Sequence, residues 1–236
     1  MAAERVRHRL AAAVQFVDAF TAKPIAVPLE VRAEALPVVV GMPRVPWQAV
    51  RGPTDDTYRF FVTNETVMPA GNIDLTVTAK EYTNFERVTL VLPRPLVAHP
   101  PTPARSDYLV RRSLWPTRSL RLPAGETAIV ARLVSGGVTP LANLKATVWP
   151  DGTPMPALPY AYSSEGGEIV YRLPDLKAVN GGVISTTASL RIDFRLPTAY
   201  TTAVVPVSIV TDTGVALGVP FAVRLGQVTT LTISLP

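Results

Sequence analysis

Apolar and polar residues alternate with a period of two along much of the chain. In Ile73-Asp-Leu-Thr-Val-Thr-Ala79, Ile73, Leu75 and Val77 fall on one face and Asp74, Thr76 and Thr78 on the other. Leu190-Arg-Ile-Asp-Phe-Arg-Leu196 repeats the pattern with charges outward, and Leu231-Thr-Ile-Ser-Leu235 closes the chain in the same way. Shorter runs with this period are Tyr58–Val62, Val88–Leu92, Ile129–Val134, Leu144–Val148 and Ile169–Leu173. Such alternation marks strands with one face in a core and the other in water. Between them lie turn clusters, among them Pro123-Ala-Gly125, Ser135-Gly-Gly137, Asp151-Gly152 and Asp212-Thr-Gly214. Many short strands at this spacing predict β-sandwiches. Leu10, Val14, Val17 and Phe20 also fit one face of a helix. A strand is preferred there, because the run ends in the turn-like Thr21-Ala-Lys-Pro24 before another β-rich stretch.

Proline reinforces this reading. The chain has 24 prolines in 236 residues, about twice the ~5% average, and an interior proline costs a helix ~3 kcal/mol. Helical bundles and doubly wound α/β folds are poor fits. Pro93, Pro95, Pro100, Pro101, Pro103 and Pro116 are too dense for a sheet interior. They predict a semi-rigid spacer over residues 94–122 between sandwiches at 1–93 and 123–236. A faint internal repeat agrees. Shifting by 116 positions aligns Val14, Val17, Pro24, Ile25 and Ala26 with Val130, Leu133, Pro140, Leu141 and Ala142. The expected fold is all-β, two tandem antiparallel sandwiches of Ig-like or transthyretin-like type.

Charge picks out the same segment. Of the formal net charge of +5, the stretch from Arg94 to Arg121 accounts for all. Arg94, Arg105, Arg111, Arg112, Arg118 and Arg121 face one acid, Asp107. A cationic stripe of this kind attracts an acidic protein surface, whereas a solvated linker is the plainer alternative. Nucleic acid is disfavoured, because the aromatics near these arginines are limited to Tyr108 and Trp115. The candidate partner-binding residues are therefore Arg105, Tyr108, Arg111, Arg112, Trp115 and Arg118. The start, Met1–Val14, has arginines followed by five apolar residues, Leu10 to Val14, short of a secretory h-region of ~7–15. The expectation is cytoplasmic synthesis without a signal peptide, in a protein that stays inside or leaves in a released particle, with no membrane insertion.

The second repeat carries a family likeness. Thr139-Pro-Leu-Ala-Asn-Leu-Lys-Ala-Thr-Val148, followed by Tyr160-Ala-Tyr-Ser-Ser-Glu-Gly-Gly-Glu-Ile-Val-Tyr-Arg-Leu-Pro174, resembles the carboxypeptidase regulatory-like (transthyretin-like) β-sandwich. Lys23-Pro-Ile-Ala26, Tyr58-Arg-Phe60 and the run from Met68 to Val77 look like a more diverged copy. The sequence departs from the family's pattern where Gly167 adds a residue to a turn and where a proline-rich stretch runs from Pro150 to Pro159. The resemblance implies a fold and a role in attachment or assembly, with no catalytic residues to carry over.

The chemistry-bearing residues form no recognisable set. There is no cysteine, which excludes disulfides and thiolate chemistry. The two histidines, His8 and His99, sit at the terminus and before a Pro-Pro pair, away from any nucleophile elbow. Asp55-Asp56 and Glu165/Glu168 lie beside turn residues, where solvated acids are the default. No alternating-acid calcium loop or phosphate-binding glycine motif occurs. Trp47, Trp115, Trp149, Tyr108, Tyr160 and Tyr162 fall near prolines or turns. They either cap the open ends of the sandwiches or form a contact surface for protein or glycan. The chain therefore reads as a non-enzymatic structural subunit of a larger assembly, by analogy a phage-tail-like or contractile injection particle, without metal or cofactor. The alternative is a free module that binds polysaccharide or a surface protein.

Overall fold

The computed structural model of the chain describes residues 8–33, 47–53, 56–63, 71–84, 88–92, 109–156, 159–174, 176, 179–180, 183–184, 186–198 and 200–236. In chain order the strands are β1 (His8–Asp18), β2 (Glu30–Ala33), β3 (Trp47–Gln48), β4 (Val50–Arg51), β5 (Thr57–Thr63), β6 (Gly71–Thr78), β7 (Tyr82–Thr83), β8 (Val88–Leu92), β9 (Leu109–Pro116), β10 (Ala128–Ser135) and β11 (Thr139–Pro140). They continue with β12 (Lys145–Pro150), β13 (Ala161–Tyr162), β14 (Glu168–Arg172), β15 (Val179–Asn180), β16 (Val183–Ile184), β17 (Thr187–Arg195), β18 (Ala203–Val204), β19 (Ser208–Thr211), β20 (Ala216–Leu217), β21 (Phe221–Arg224) and β22 (Val228–Leu235). Among the described residues every regular element is a strand, and no helix is long and apolar enough to cross a membrane.

The strands divide into two compact units. Unit 1 holds β1–β6, β8 and β9 as far as Leu114. Unit 2 holds residues 19–21, β7 and the chain from Trp115 onward. The segment expected as a spacer thus contains a strand, β9. Its residues Leu109–Leu114 pair with β1, and hydrogen bonding to a sheet replaces the solvated polyproline backbone that prolines alone predict. Residues 94–108 of that segment lie outside the described residues.

In unit 1 one sheet runs β4-β5-β1-β9 and the other β3-β2-β6-β8. Ile73, Leu75 and Val77 are buried, and so are Val31 and Ala33 on the neighbouring β2, as the alternation predicts. In unit 2 the sheets are β11-β10-β22-β19-β20, with β14 also on β10, and β13-β12-β17-β18, with β21 also on β17. Their inward faces meet in one core. Ile129, Ala131, Leu133, Tyr171, Leu231 and Ile233 come from the first sheet, and Ala146, Val148, Leu190, Ile192, Phe194 and Phe221 from the second. Each large aliphatic or aromatic side chain buried this way contributes roughly 1.5–3 kcal/mol.

The two units share a connection pattern. In unit 1, β1 pairs antiparallel with β5 and parallel with β9, and β2 pairs with β3 and β6, which pairs with β8. In unit 2, β10 pairs antiparallel with β14 and parallel with β22, and β12 pairs with β13 and β17, which pairs with β21. The faint sequence repeat therefore coincides with a repeat of topology. Most strand pairs are antiparallel, as expected, whereas β1 with β9 and β10 with β22 run parallel. The rest of the unit forms the long crossover such a pair requires. The closing strand β22 is interior, between β10 and β19.

Candidate functional site

The cationic candidates sit on β9 and just beyond it. Arg111 and Arg112 are exposed, and so is Ser113. Gln15, which stands opposite Arg111 on β1, accepts a hydrogen bond from Arg111 Nε at 3.2 Å. Arg112 donates to the Thr89 carbonyl on β8 at 3.4 Å and to the Arg111 carbonyl at 3.2 Å. Both guanidinium groups thus rest on neutral oxygens and keep their charge facing solvent. Arg118, in unit 2, is tied to Glu168 at 3.1 Å with both side chains well exposed. A pair of that kind offsets its charge but adds little stability. Arg105 and Tyr108 lie outside the described residues.

Trp115 does not belong with this surface. It is 4% exposed and part of the unit 2 core. Its indole Nε1 donates to the Tyr160 carbonyl at 2.8 Å. The ring stacks on Tyr160, with centroids 5.9 Å apart, and meets Tyr162 edge-on at 5.3 Å. Tyr200 joins at 5.4 Å from Tyr162, and Lys145 Nζ sits 3.8 Å from the Tyr160 ring centroid. Tyr160 and Tyr200 are half-buried. Trp115 and Tyr162 belong to the core of unit 2, and Tyr160 and Tyr200 pack against it. Sequence reading missed Tyr200 and Lys145, which join the cluster from remote strands and loops. Trp149 is half-buried on β12, while the side chain of Trp47 is outside the described set.

The turn that carries the family likeness is built by hydrogen bonds. Ser163 is fully buried, its Oγ accepting from Leu144 N at 2.9 Å and donating to the Leu141 carbonyl at 2.7 Å. Ser164 and Glu168 bond across the hairpin, and Gly167 N donates to the Ser164 carbonyl at 2.9 Å. Gly167 has φ +74, and a Cβ there would stand 2.5 Å from the Leu133 carbonyl oxygen. The residue added relative to the family's pattern is thus one that only glycine can fill. At the other end of β14, Arg172 grips Glu126 with two bonds, 2.5 and 2.7 Å, both side chains 9% exposed.

Among the described residues the acids converge on no reactive centre. Asp56, at φ +49, bonds Arg51 at 2.5 Å, and this hydrogen bond raises the Arg51 pKa. Glu165 is an exposed turn residue, and Glu168 is occupied by Arg118. His99 and Asp55 lie outside the described residues, as does the side chain of His8. Among the described residues no three His, Cys, Asp or Glu side chains come close enough to hold a metal ion.

No family model and no curated protein matches the chain, so the likeness to carboxypeptidase regulatory-like domains finds no counterpart there. Solved structures to which it is similar include the TIE protein of Bacillus anthracis, at 10% identity and TM-score 0.27, aligned over 96% of this chain and 34% of that one. A streptococcal ancillary pilin aligns at 14% identity and TM-score 0.24, over 96% and 62%. A shaft pilin from Lactobacillus rhamnosus GG aligns at 10% identity and TM-score 0.21, over 96% and 98%. The chain spans about a third of the first of these and under two thirds of the second. At such low scores and identities none of their properties is carried over to this protein.

Proposed function

We propose that this chain is a non-enzymatic structural subunit of a larger protein assembly and docks on an acidic neighbour through the cationic strand β9. The observation that carries the reading is the pair Arg111 and Arg112. Both are exposed on an ordered strand, with only neutral oxygens as partners among the described residues. Two fixed cations on a strand steer an anionic surface at a range set by the Debye length, about 8 Å at physiological salt. The particle class proposed is the phage-tail-like or contractile injection type. The test is Arg111→Glu with Arg112→Glu in the full chain, followed by its share in the particle fraction of a density gradient. Incorporation falls at least about tenfold at low salt on this reading. Unchanged incorporation would sink it, and saturable binding of the chain to a polysaccharide would favour the free-module alternative.

A further inference from the structure

Strands β10 and β22 of unit 2 lie side by side and run the same way. They pair in unbroken parallel register from Ala128↔Val228 to Ser135↔Leu235. The chain therefore enters this pair at one end and leaves it at the other. Tension in the flanking chain pulls β10 by its start and β22 by its finish, in opposite directions along the strand axis. The ladder is then loaded in shear. Bonds in a parallel ladder are evenly spaced, so they share the load and give way together. Antiparallel strands in these two places would be pulled at one common end, and their bonds would open one at a time.

The surroundings of the pair suit it to that load. Both strands are interior, β10 flanked by β14 and β22 by β19, so neither peels from a free edge. Ile129, Ala131, Leu133, Leu231, Ile233 and Leu235 bury their side chains in the core, which limits the competition of water for the bonds between the strands. Both ends are tied. At the start, Gly226 N donates to Thr127 Oγ1 at 2.8 Å and Ala128 N to the Gln227 carbonyl at 3.3 Å. At the finish, Ser135 Oγ donates to the Pro236 carbonyl at 3.2 Å. Unit 1 repeats the arrangement, with β1 and β9 parallel from Ala13↔Leu109 to Asp18↔Leu114.

We propose that the chain bears tension, and that the resistance of unit 2 to pulling resides in the parallel pair of β10 and β22. This goes beyond a role as a structural subunit. It rests on strand direction and register and not on docking through β9, so either proposal can fail alone.

Single-molecule force spectroscopy of the full chain tests it. The sequence has no cysteine, so two introduced cysteines fix where the handles attach. One variant carries Ala124→Cys, at an exposed residue before β10, and a cysteine added after Pro236. Pulling there shears the pair. The other carries Ala124→Cys and Gln227→Cys, the latter at an exposed residue before β22. Both handles then act at the same end, and pulling peels the pair. Forced unfolding reads the barrier along the pulled direction, not the equilibrium stability. The sheared variant should yield at a force at least about twice that of the peeled one. It should do so in one step that releases roughly 300–400 Å of chain. Chemical denaturation should give the two variants equal midpoints, so that direction alone makes the difference. Equal forces in the two geometries would overturn the proposal, as would a sheared variant that yields in several small steps.

Discussion

Gly167 and Tyr171 lie close together on β14 and its turn, and each makes a distinct prediction. Gly167→Ala combines a left-handed backbone, about 1–2 kcal/mol for a residue with a Cβ, with a contact to the Leu133 carbonyl that the backbone must relieve. The loss should reach roughly 3 kcal/mol or more, a fall in Tm of about 6–12 °C. Gly136 also has positive φ, at +58, but a Cβ there would meet nothing within 4 Å, so Gly136→Ala should cost only about 1–2 kcal/mol. Differential scanning calorimetry of the two variants separates the contact from the backbone conformation. Tyr171 is buried, its hydroxyl 2.6 Å from the Pro159 carbonyl and 3.2 Å from that of Val148. Burial pushes its pKa up to about 12. The folded protein thus holds this proton where the unfolded chain, near pH 10, releases it. Its contribution is fully present below pH 10 and is lost as pH rises toward 12, at no more than about 1.4 kcal/mol per pH unit. Urea melts across that window should show a steeper decline for the native protein than for Tyr171→Phe. Alternation over Ile169–Leu173 places Tyr171 on the core face. The need for glycine at 167 was not legible, because it depends on the Leu133 carbonyl, remote in sequence.

At the scale of elements, β14 is fastened to the segment before β10 by the buried Arg172–Glu126 pair. Removing Glu126 strips two charge-assisted bonds from a buried guanidinium. Glu126→Ala should therefore cost about 3–5 kcal/mol, and Arg172→Met combined with Glu126→Leu should recover most of it. Chemical denaturation of the three variants gives the comparison. The strands with strict alternation, such as β6, β17 and β22, were readable because period two is a local property. Two-residue strands such as β7, β13 and β20 were not, since they exist only through a partner. The parallel pairing of β1 with β9 and β10 with β22 was hidden for the same reason: it joins strands that begin and end a unit. β9 was masked further by the prolines around it. Its arginines could be singled out, yet the strand presenting them could not.

For the whole molecule, the account rests on two units of like topology, no convergence of reactive groups among the described residues, and surfaces suited to association. The sequence repeat anticipated the shared topology through Pro24-Ile-Ala26 and Pro140-Leu-Ala142. Of the candidate contact residues, Arg111, Arg112 and Arg118 reach the surface, whereas Trp115 is spent on the core. The central claim is that the chain belongs to a large assembly, and the most direct test is sedimentation of the native protein in a density gradient of lysate and culture fluid, followed by immunoblot. The account predicts that it travels with megadalton particles and that Arg111→Glu with Arg112→Glu shifts it to light fractions. Recovery of the native chain only near monomer or dimer mass would contradict it.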